Sequence, residues 1–432
     1  MAKTPLQQLA DHGQSVWIDY LSRPFVQDGD LAGLVDQGVV GVTSNPTIFQ
    51  GAIAEGDAYD DQIRELVENG ESEPKEIFQK LAAADIRAAC DLLRSVYDEG
   101  NGKDGYVSLE VDPNLAHDTQ GTIEERIAEL HRLAGPSAGL QAEISRLERA
   151  LEGAKRRIYA NLSPYQRVQV ARHPDRPNFR AYRDALADDF YELSGDRAHG
   201  EDHAVRGGFA RLKRGGHNVV LIGHDKGADV ESRVRGNFGM AHPEGYRKVR
   251  RLYDLAARFK MPVVTLVDTP GAFAGRQAEE RGQAWAISDD LMALARSPVP
   301  IVCVIIGEGG SGGALAMCAA DYVGILENSY LSVIAPEACA SIIFRDPRRA
   351  AEAAEAMKIT ARDLKEHEIV DEVLDEPLGG AHNEPETAIE SVGAALERVL
   401  PDLQSTDPAS LVKRRYERYR RVGDHAMRNG TV

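Results

Sequence analysis

Apolar and polar residues alternate in blocks along the second part of the chain, and the blocks predict a buried sheet. Short, nearly continuous runs rich in valine and isoleucine are typical of strands that are covered on both faces. Four runs predict such strands: Asn218–Gly223, Pro262–Asp268, Pro300–Gly307 and Tyr330–Ile334. A helix of small residues is predicted after the third strand, over Gly313–Ala320. This pattern indicates an α/β fold class with a largely parallel sheet.

The first part of the chain carries a sparser version of the same alternation. Strands are predicted at Ser15–Tyr20, Val39–Thr43 and Gly105–Val111. A helix at Asp30–Gln37 and a long acidic amphipathic region, Asp57–Asp98, separate them. Strands separated by helical stretches are typical of a parallel sheet or barrel.

A third kind of pattern lies between these two parts. Apolar residues recur there at helical spacing on both sides of a break at Gly135-Pro136-Ser137, in a field of Glu and Arg. The spacing predicts a helical hairpin that serves as a packing element. We therefore predict three parts: residues 1–121, residues 122–165 and residues 166–432.

Composition narrows the classes of function. The 432 residues include 51 Lys and Arg against 68 Asp and Glu, and the first 120 residues hold 8 basic against 22 acidic side chains. This acidic balance argues against nucleic acid as a partner, and the basic run Lys413–Arg421 is interpreted as a solvated helix face. The four cysteines form no CxxC pair, which argues against a disulfide framework and a cysteine zinc site. No apolar run is long enough for a membrane helix, and no signal peptide is recognisable, so we expect a cytoplasmic protein.

The sharpest local feature is the glycine-rich stretch Gly307–Gly313, which follows a predicted strand and opens a helix. Glycines let backbone N–H groups approach a ligand closely, and the start of a helix favours negative charge. The stretch also matches G-x-G-x-x-G, but the acidic residue that a dinucleotide site needs about 20 residues later is poorly placed. An oxyanion hole, a dinucleotide site and a purely structural loop all remain open from these residues alone.

The second feature is Asp268-Thr269-Pro270-Gly271-Ala272, at the end of an apolar strand. Asp268 is a candidate general base, although Asp and Thr in such turns more often hydrogen-bond the backbone. The amides of Gly271 and Ala272 are candidate ligand donors. Neither a Ser-His-Asp arrangement nor a metal-ligand spacing stands out, so a chemistry that needs amide donors fits these residues best.

Seven stretches of the second part together resemble the alpha subunit of bacterial acetyl-CoA carboxylase carboxyltransferase. They run in the family's order over about residues 122–432: RVQVARHPDRP (Arg167–Pro177), ELSGDRA (Glu192–Ala198), RGNFGMAHPEGYRK (Arg235–Lys248), RFKMPVVTLVDTPGA (Arg258–Ala272), EERGQ (Glu279–Gln283), IGEGGSGGALA (Ile306–Ala316) and EPLGGAH (Glu376–His382). The resemblance implies a crotonase-like fold. It also implies transfer of a carboxyl group from carboxybiotin, on a biotin carboxyl carrier protein, to acetyl-CoA, which gives malonyl-CoA for fatty-acid synthesis.

The resemblance also implies partners and site residues. The family works as an α2β2 assembly with a beta subunit that carries the zinc, alongside biotin carboxylase, and no cofactor is expected to stay bound to this chain. Carried onto this sequence, the amides of Gly312 and Gly313 hold the biotin oxyanion. Gly271, Ala272, Gly309 and Gly310 are expected to line the same substrate-binding cleft.

The first part resembles a different family, the bacterial transaldolases. The stretches that carry this resemblance are GQSVWIDYLSR (Gly13–Arg23), GVVGVTSNPTIFQ (Gly38–Gln50), GDAYDDQI (Gly56–Ile63) and VSLEVDPNLAHDT (Val107–Thr119). That family is a (β/α)₈ barrel with a Schiff-base lysine on its fourth strand, and Asp19, Asn45 and Glu110 match its positions on strands one to three. The resemblance ends near residue 121, before the lysine strand.

Covalent catalysis on a ketose needs the amine nucleophile, and three strands of eight do not close a barrel. The expectation is therefore a truncated, non-catalytic transaldolase segment ahead of a carboxyltransferase. The alternatives are a transaldolase, which the missing lysine opposes, and a non-catalytic scaffold, which the intact glycine stretch opposes. A dehydrogenase remains the weak alternative for that stretch.

Overall fold

The computed structural model describes residues 3–44, 46–54, 57–108 and 138–423. The chain divides into two compact units, Met1–Arg157 and Ile158–Val432, which we call the N-terminal and the C-terminal unit. The boundary expected near residue 121 lies outside the described residues and stays a prediction. No helix in the described ranges combines the length and the apolar character that crossing a membrane requires.

The N-terminal unit contains a small parallel sheet. Its strands are β1 (Trp17–Ile18), β2 (Gly41–Thr43) and β3 (Tyr106–Ser108), in the order β1-β2-β3. The helices of this unit are Pro5–Asp11, Arg23–Gln27, Asp30–Gln37, Pro46–Ala54, Asp60–Glu68, Pro74–Leu92 and Arg94–Glu99. Three predicted strands and the predicted helix at Asp30–Gln37 are confirmed, and the acidic region is helical.

The core of the N-terminal unit lies between its sheet and its longest helix. Val42 on β2 packs in one cluster with Leu31, Phe49, Ile86 and Leu93, and all five are buried. The apolar residues of Pro74–Leu92 supply much of this cluster because they recur at helical spacing. The described residues thus form a small but real core around three strands.

One long helix, Ala138–Ala160, follows the residues that the structure leaves undescribed. It is the second half of the predicted helical hairpin, over Ile144–Ile158. The first half, near Ile127–Leu133, lies outside the described residues. The hairpin therefore stays a prediction.

An eight-stranded sheet forms the centre of the C-terminal unit, in the order β11-β9-β8-β7-β6-β5-β4, with β10 paired to β8. Its strands are β4 (Ala187–Glu192), β5 (Val205–Leu212), β6 (Asn218–His224), β7 (Val263–Thr269), β8 (Ile301–Gly310), β9 (Tyr322–Leu326), β10 (Tyr330–Ser332) and β11 (Glu372–Leu374). The α-helices are Pro164–Ala171, Phe179–Leu186, Val230–Arg235, Pro243–Phe259, Arg276–Glu280, Gln283–Arg296, Ser311–Cys318, Pro336–Ile343, Ala350–Met357, Ala361–Glu366, Pro385–Gln404 and Pro408–Arg421, with 3₁₀ turns at Asn237–Gly239 and Pro347–Arg349.

The central strands are buried on both faces, as their apolar runs predict. Ile301 and Cys303 pack into one core cluster, whereas Val302 and Val304 pack into another. Successive side chains of a strand point to opposite faces, so the two clusters lie on opposite sides of the sheet. The predicted α/β class of this unit is confirmed.

Both edges of the sheet depart from the sequence-based expectation, since β9 and β11 at the other edge were not predicted either. Strands β4 and β5 were not predicted, and both run antiparallel to their neighbours. Two glycines and two arginines interrupt the apolar pattern of β5, Val205–Leu212, which hides it from a search for apolar runs. The prediction that the third apolar strand ends at Gly307 is also wrong, because β8 continues to Gly310.

Candidate active site

The candidate site lies where two neighbouring parallel strands end. Strand β7 ends at Thr269 and strand β8 ends at Gly310, and the two pair in parallel over most of their length. The carboxyl ends of parallel strands meet at one edge of a sheet, which is where ligands bind in open α/β folds. The two features singled out from the sequence therefore lie side by side.

Strand β8 contains a bulge near its carboxyl end, which changes its pairing with β7. Val267 pairs with Ile305, but Thr269 pairs with Gly309, so β8 holds two extra residues at this point. The last residues of β8 then pair with β10, Tyr330 opposite Glu308. Asp268 stabilises the bulge because its Oδ1 accepts a hydrogen bond from the Glu308 N–H at 2.9 Å. Such bulges commonly re-aim side chains near active sites.

Glycine is required where the two strand ends touch. A Cβ on Gly310 would overlap the carbonyl of Pro270. A Cβ on Gly313 would stand 2.7 Å from both the Ala272 nitrogen and the Gly271 carbonyl carbon. The structure therefore brings together four of the six predicted carboxyltransferase site residues, in direct backbone contact.

Gly309 and Gly312 occupy different surroundings. Gly309 pairs with Leu331 of β10, and a Cβ there would stand 2.8 Å from the Tyr330 carbonyl oxygen. Its close approach is thus to β10 rather than to the Gly271 loop. Gly312 is half-buried, and a Cβ there would meet only the Ile287 side chain, at 3.5 Å. Of the glycines in this stretch, Gly312 has the space to face a ligand.

The helix that follows, Ser311–Cys318, presents amides to this space; we call it the site helix. Ser311 has φ +50°, which turns the chain sharply from β8 into the helix. Among the described residues, no side chain caps its start. The first N–H groups of a helix have no partner within it, and they favour negative charge. Gly312 and Gly313 are the second and third residues of that first turn.

The loop after β7 contributes one further amide. The Gly271 N–H donates to Thr269 Oγ1 at 3.0 Å, and the Thr269 hydroxyl donates to the Gly271 carbonyl oxygen at 2.9 Å. Thr269 thus occupies the local turn that the sequence predicts, and the Gly271 amide is engaged. No described residue accepts from the Ala272 N–H. Ala272 is therefore the better donor of the two.

A network of ion pairs around Glu308 and Asp268 stabilises the ends of β7 and β8. Glu308 accepts hydrogen bonds from Lys226 Nζ at 2.7 Å, Arg172 Nε at 2.7 Å and the Tyr330 hydroxyl at 2.6 Å. Lys226 Nζ also lies 2.7 Å from Asp268 Oδ1. Arg172 is shared with Glu337. Paired charges of this kind hold β7, β8 and β10 in one arrangement.

Opposing effects set the pKa of the charged groups in this network. Burial would raise the pKa of Glu308, but Lys226, Tyr330 and Arg172 lower it to about 2. Burial also opposes the charge of Lys226, yet Asp268 and Glu308 outweigh it and raise the pKa of the ammonium. Lys226 is therefore a charged structural partner and is unsuited to act as a neutral amine nucleophile.

A cavity of about 260 Å³ adjoins the network, and Pro270 lies in its wall. Its walls include Arg172, Lys226 and Arg233, together with Asp268 and Glu308. Sequence reasoning did not identify this cluster. The signal that could have revealed it is the presence of Asp268 and Glu308 in apolar or glycine-rich strand ends, because a buried carboxylate requires a compensating positive charge nearby.

The three positions that match transaldolases are only partly described. Asp19 is exposed and accepts a hydrogen bond from Thr43 Oγ1 at 2.7 Å. Asn45 and Glu110 lie outside the described residues. Within the described ranges, no group of three or more His, Cys, Asp or Glu side chains is placed to hold a metal ion.

Comparison with known proteins places these features in context. A family model described as acetyl co-enzyme A carboxylase carboxyltransferase-like matches residues 117–423, and a transaldolase/fructose-6-phosphate aldolase model matches residues 16–137. Both predicted resemblances are confirmed. The transaldolase match extends to residue 137, beyond the end expected near residue 121.

Individual relatives extend this comparison. The chain is 80% identical over 303 residues, 70% of its length and 94% of the other, to an acetyl-coenzyme A carboxylase carboxyl transferase subunit alpha of Rubrobacter xylanophilus. It is 48% identical over 319 residues, 74% and 99% of the two lengths, to the protein of the same name from Paracoccus denitrificans. A solved structure of transcarboxylase 12S aligns with 54% of the chain and 43% of its own, at 24% identity and a TM-score of 0.43.

Proposed function

The chain belongs to the family of acetyl-CoA carboxylase carboxyltransferase alpha subunits, and we propose that its C-terminal unit transfers a carboxyl group from carboxybiotin to acetyl-CoA. The product is malonyl-CoA, the precursor of fatty-acid synthesis. The observation that carries this proposal is the contact between the Gly271–Ala272 loop and the start of the site helix. That contact presents backbone amides, rather than a nucleophile, at the sheet edge.

The reaction needs amide donors because both of its halves generate oxyanions. When the C–N bond of carboxybiotin breaks, negative charge develops on the ureido oxygen. When acetyl-CoA loses a methyl proton, charge develops on the thioester oxygen. The methyl carbon then forms the new C–C bond, and the proton ends on the ureido nitrogen, so atoms and charges balance.

Preorganised backbone donors are an efficient way to stabilise such charge. A single oxyanion donor contributes about 3–4 kcal/mol to transition-state stabilisation. The Gly312 and Gly313 amides have the helix dipole behind them, and the Ala272 amide lies next to Gly313. We propose that Gly312, Gly313 and Ala272 hold the ureido oxygen, while Gly271 and Gly310 keep the two backbones close enough for these amides to converge, and Gly309 lets β10 pack against the end of β8.

The partners proposed are those of the family. They are a carboxyltransferase beta subunit, in an α2β2 assembly, a biotin carboxyl carrier protein and biotin carboxylase. Exposed apolar side chains beside the site support an interface there: Leu315 on the site helix and Trp285 on the helix Gln283–Arg296 are 47% and 75% exposed. Zinc is proposed for the beta subunit alone, which metal analysis of the two separated subunits tests.

The function is tested by malonyl-CoA formation from acetyl-CoA and carboxybiotin, using the full chain with and without a cognate beta subunit. We expect turnover only when both subunits are present, because this chain supplies one side of the site. Turnover by the beta subunit alone, at the rate of the mixture, would contradict the proposal. If the mixture of the two subunits forms no malonyl-CoA, a non-catalytic scaffold role for this chain is favoured.

A further inference from the structure

A buried tyrosine lies directly beneath the proposed site. Tyr246, on the helix Pro243–Phe259, is fully buried in the same core cluster as Ala286 and Ala314. Within the described part of the chain, its hydroxyl has no hydrogen-bond partner. An unpaired buried hydroxyl costs about 1–3 kcal/mol of stability, so phenylalanine would pack here more favourably.

The hydroxyl faces the point where the two backbones meet. The position that a Cβ on Gly313 would take is 3.0 Å from the Tyr246 oxygen and 2.7 Å from the Ala272 nitrogen. The hydroxyl and the amide that we assign to the oxyanion therefore converge on one small space beside Gly313. The side chain is buried, so it faces the donors from behind and does not itself contact a substrate.

Other contacts hold the Gly271–Phe273 loop in place. Gln283 Nε2 donates to the carbonyl oxygens of Ala241 and Phe273, each at 2.8 Å. The Phe273 N–H donates to the Ala241 carbonyl oxygen at 3.0 Å. These bonds fix the loop without the hydroxyl of Tyr246, so folding does not need it.

The hydroxyl keeps its proton at all working pH values. Burial raises the pKa of Tyr246 well above its ordinary value, and the nearby carboxyl groups of Asp202 and Asp290 raise it further. Since no described acceptor fixes the O–H bond, the hydroxyl is free to rotate. Its dipole is thus able to align with negative charge that forms at the amides of Gly313 and Ala272.

We propose that Tyr246 is a positioning residue of the transfer site, whose hydroxyl dipole turns towards the oxyanion and reinforces the amides of Gly313 and Ala272. The inference rests on the proposed carboxyltransferase function. It acts on the charge that exists only during transfer, so it affects kcat rather than substrate binding. Preorganised dipoles that follow developing charge stabilise a transition state in this way.

The test compares two matched variants of the full chain, each assembled with the beta subunit. Tyr246→Phe removes the hydroxyl beneath the site. Tyr182→Phe is the control, because Tyr182 is also fully buried with an unpaired hydroxyl but packs in the cluster on the opposite face of the sheet. We expect Tyr246→Phe to lower kcat about tenfold, less than the loss of a direct oxyanion donor. Its KM for both substrates should stay unchanged and its melting temperature should not fall, and Tyr182→Phe should keep the kcat of the unaltered chain.

Three outcomes would overturn the inference. They are an unchanged kcat in Tyr246→Phe, a kcat that falls together with the melting temperature or the assembly with beta, and an equal loss in Tyr182→Phe. A further variant, Tyr246→3-fluorotyrosine, keeps the hydroxyl and should restore kcat, and failure to do so also counts against the inference. The unaltered chain separates the two proposals: if it is active and Tyr246→Phe matches it, only this inference fails, whereas an inactive unaltered chain removes the proposed function and this inference with it.

Discussion

Each of the two units buries a carboxylate that accepts hydrogen bonds from an arginine and a tyrosine. In the N-terminal unit, Asp85 accepts from Arg23 Nε and from the Tyr59 hydroxyl, both at 2.8 Å. In the C-terminal unit, Glu308 accepts from Arg172 and Tyr330 in the same way, and Lys226 adds a second cation.

With that second cation, the pKa of the buried carboxylate is lowered instead of raised. Burial raises the pKa of Asp85, and the bonds from Arg23 and Tyr59 do not fully offset it. The pKa of Glu308, by contrast, is lowered to about 2 despite its burial. One arginine and one tyrosine therefore leave a buried carboxylate under-compensated, whereas a further lysine makes its charge favourable.

The two carboxylates consequently contribute to stability in opposite pH ranges. For Glu308 the native pKa is the lower one, so its contribution is present above pH 4.5 and is lost as the pH falls towards about 2. For Asp85 the native pKa is the higher one, so its contribution is greatest below pH 3.8 and is lost as the pH rises. The compensated charge lies next to the proposed site, whereas the under-compensated one lies in the N-terminal unit.

The largest expected effect comes from removing the compensated charge. Glu308→Gln should lower the free energy of unfolding of the C-terminal unit by about 3–5 kcal/mol, because Lys226 and Arg172 lose their shared partner. The matched change Asp85→Asn should cost the N-terminal unit only about 1–2 kcal/mol, since the charge that it removes is under-compensated and the amide oxygen still accepts a hydrogen bond. Hydrogen-exchange mass spectrometry at pH 7 measures both in the full chain, because it resolves the peptides of each unit. Equal losses of unfolding free energy in the two variants would show that the second cation does not make the Glu308 charge more favourable than that of Asp85.

The next effect concerns the glycines of the site helix. Gly313→Ala should lower kcat by about 10²–10³, because its Cβ would push the Ala272 amide away from the helix start. Gly312→Ala keeps its amide and meets only Ile287, so we expect a loss of less than tenfold. Malonyl-CoA formation with the beta subunit measures both variants. If Gly312→Ala lost as much as Gly313→Ala, the assigned geometry would be wrong.

A third buried carboxylate, that of Asp290, has no hydrogen-bond partner among the described residues and so extends the comparison. Asp290 is fully buried, neither of its oxygens has a hydrogen-bond partner among the described residues, and burial raises its pKa well above the ordinary value. Asp290→Asn should therefore raise the free energy of unfolding by about 1–3 kcal/mol at pH 8. The native pKa is the higher one, so this gain should shrink as the pH falls towards 4.

Urea unfolding of the unaltered chain and of this variant, at pH 8 and at pH 5, checks the expectation. The neighbouring change Asp289→Asn is the control, because Asp289 is only half-buried and a change there should stay within about 0.5 kcal/mol. A destabilised Asp290→Asn at pH 8 would show that the carboxyl group has a native partner.

The smallest expected effect is that of the N-terminal segment on transfer. Deleting residues 1–121 should leave kcat and KM within about twofold, since all the donors that we assign to the oxyanion belong to the C-terminal unit. The rate of the shortened chain with the beta subunit measures this. A faster shortened chain would indicate that the segment obstructs assembly. Trapping of a Schiff base on the full chain, by borohydride with fructose 6-phosphate, would instead show that the segment is catalytic.

Much of the C-terminal unit is predictable from its sequence because its central strands are continuous apolar runs. Strands β6, β7 and β8 are predicted in this way, and the family resemblance gives Gly310 and Gly313 as site residues. Strand β5 was missed because its two glycines and two arginines break the apolar pattern, although most of its residues are buried. The ends of β8 were misjudged, since the ladder that extends it is made with β10, which comes later in the chain.

The sequence by itself determined the family, the α/β class and the residue types of the site, because local patterns and motif order carry that information. Only the tertiary structure decided which amides are free. It shows that Thr269 engages Gly271, that Ala272 is left to donate, and that Tyr246 lies beneath Gly313. It also decided the charge state of Glu308, whose partners Lys226 and Arg172 are 82 and 136 residues away in the chain. Burial and charge compensation arise from residues that are distant in sequence, so no local pattern encodes them.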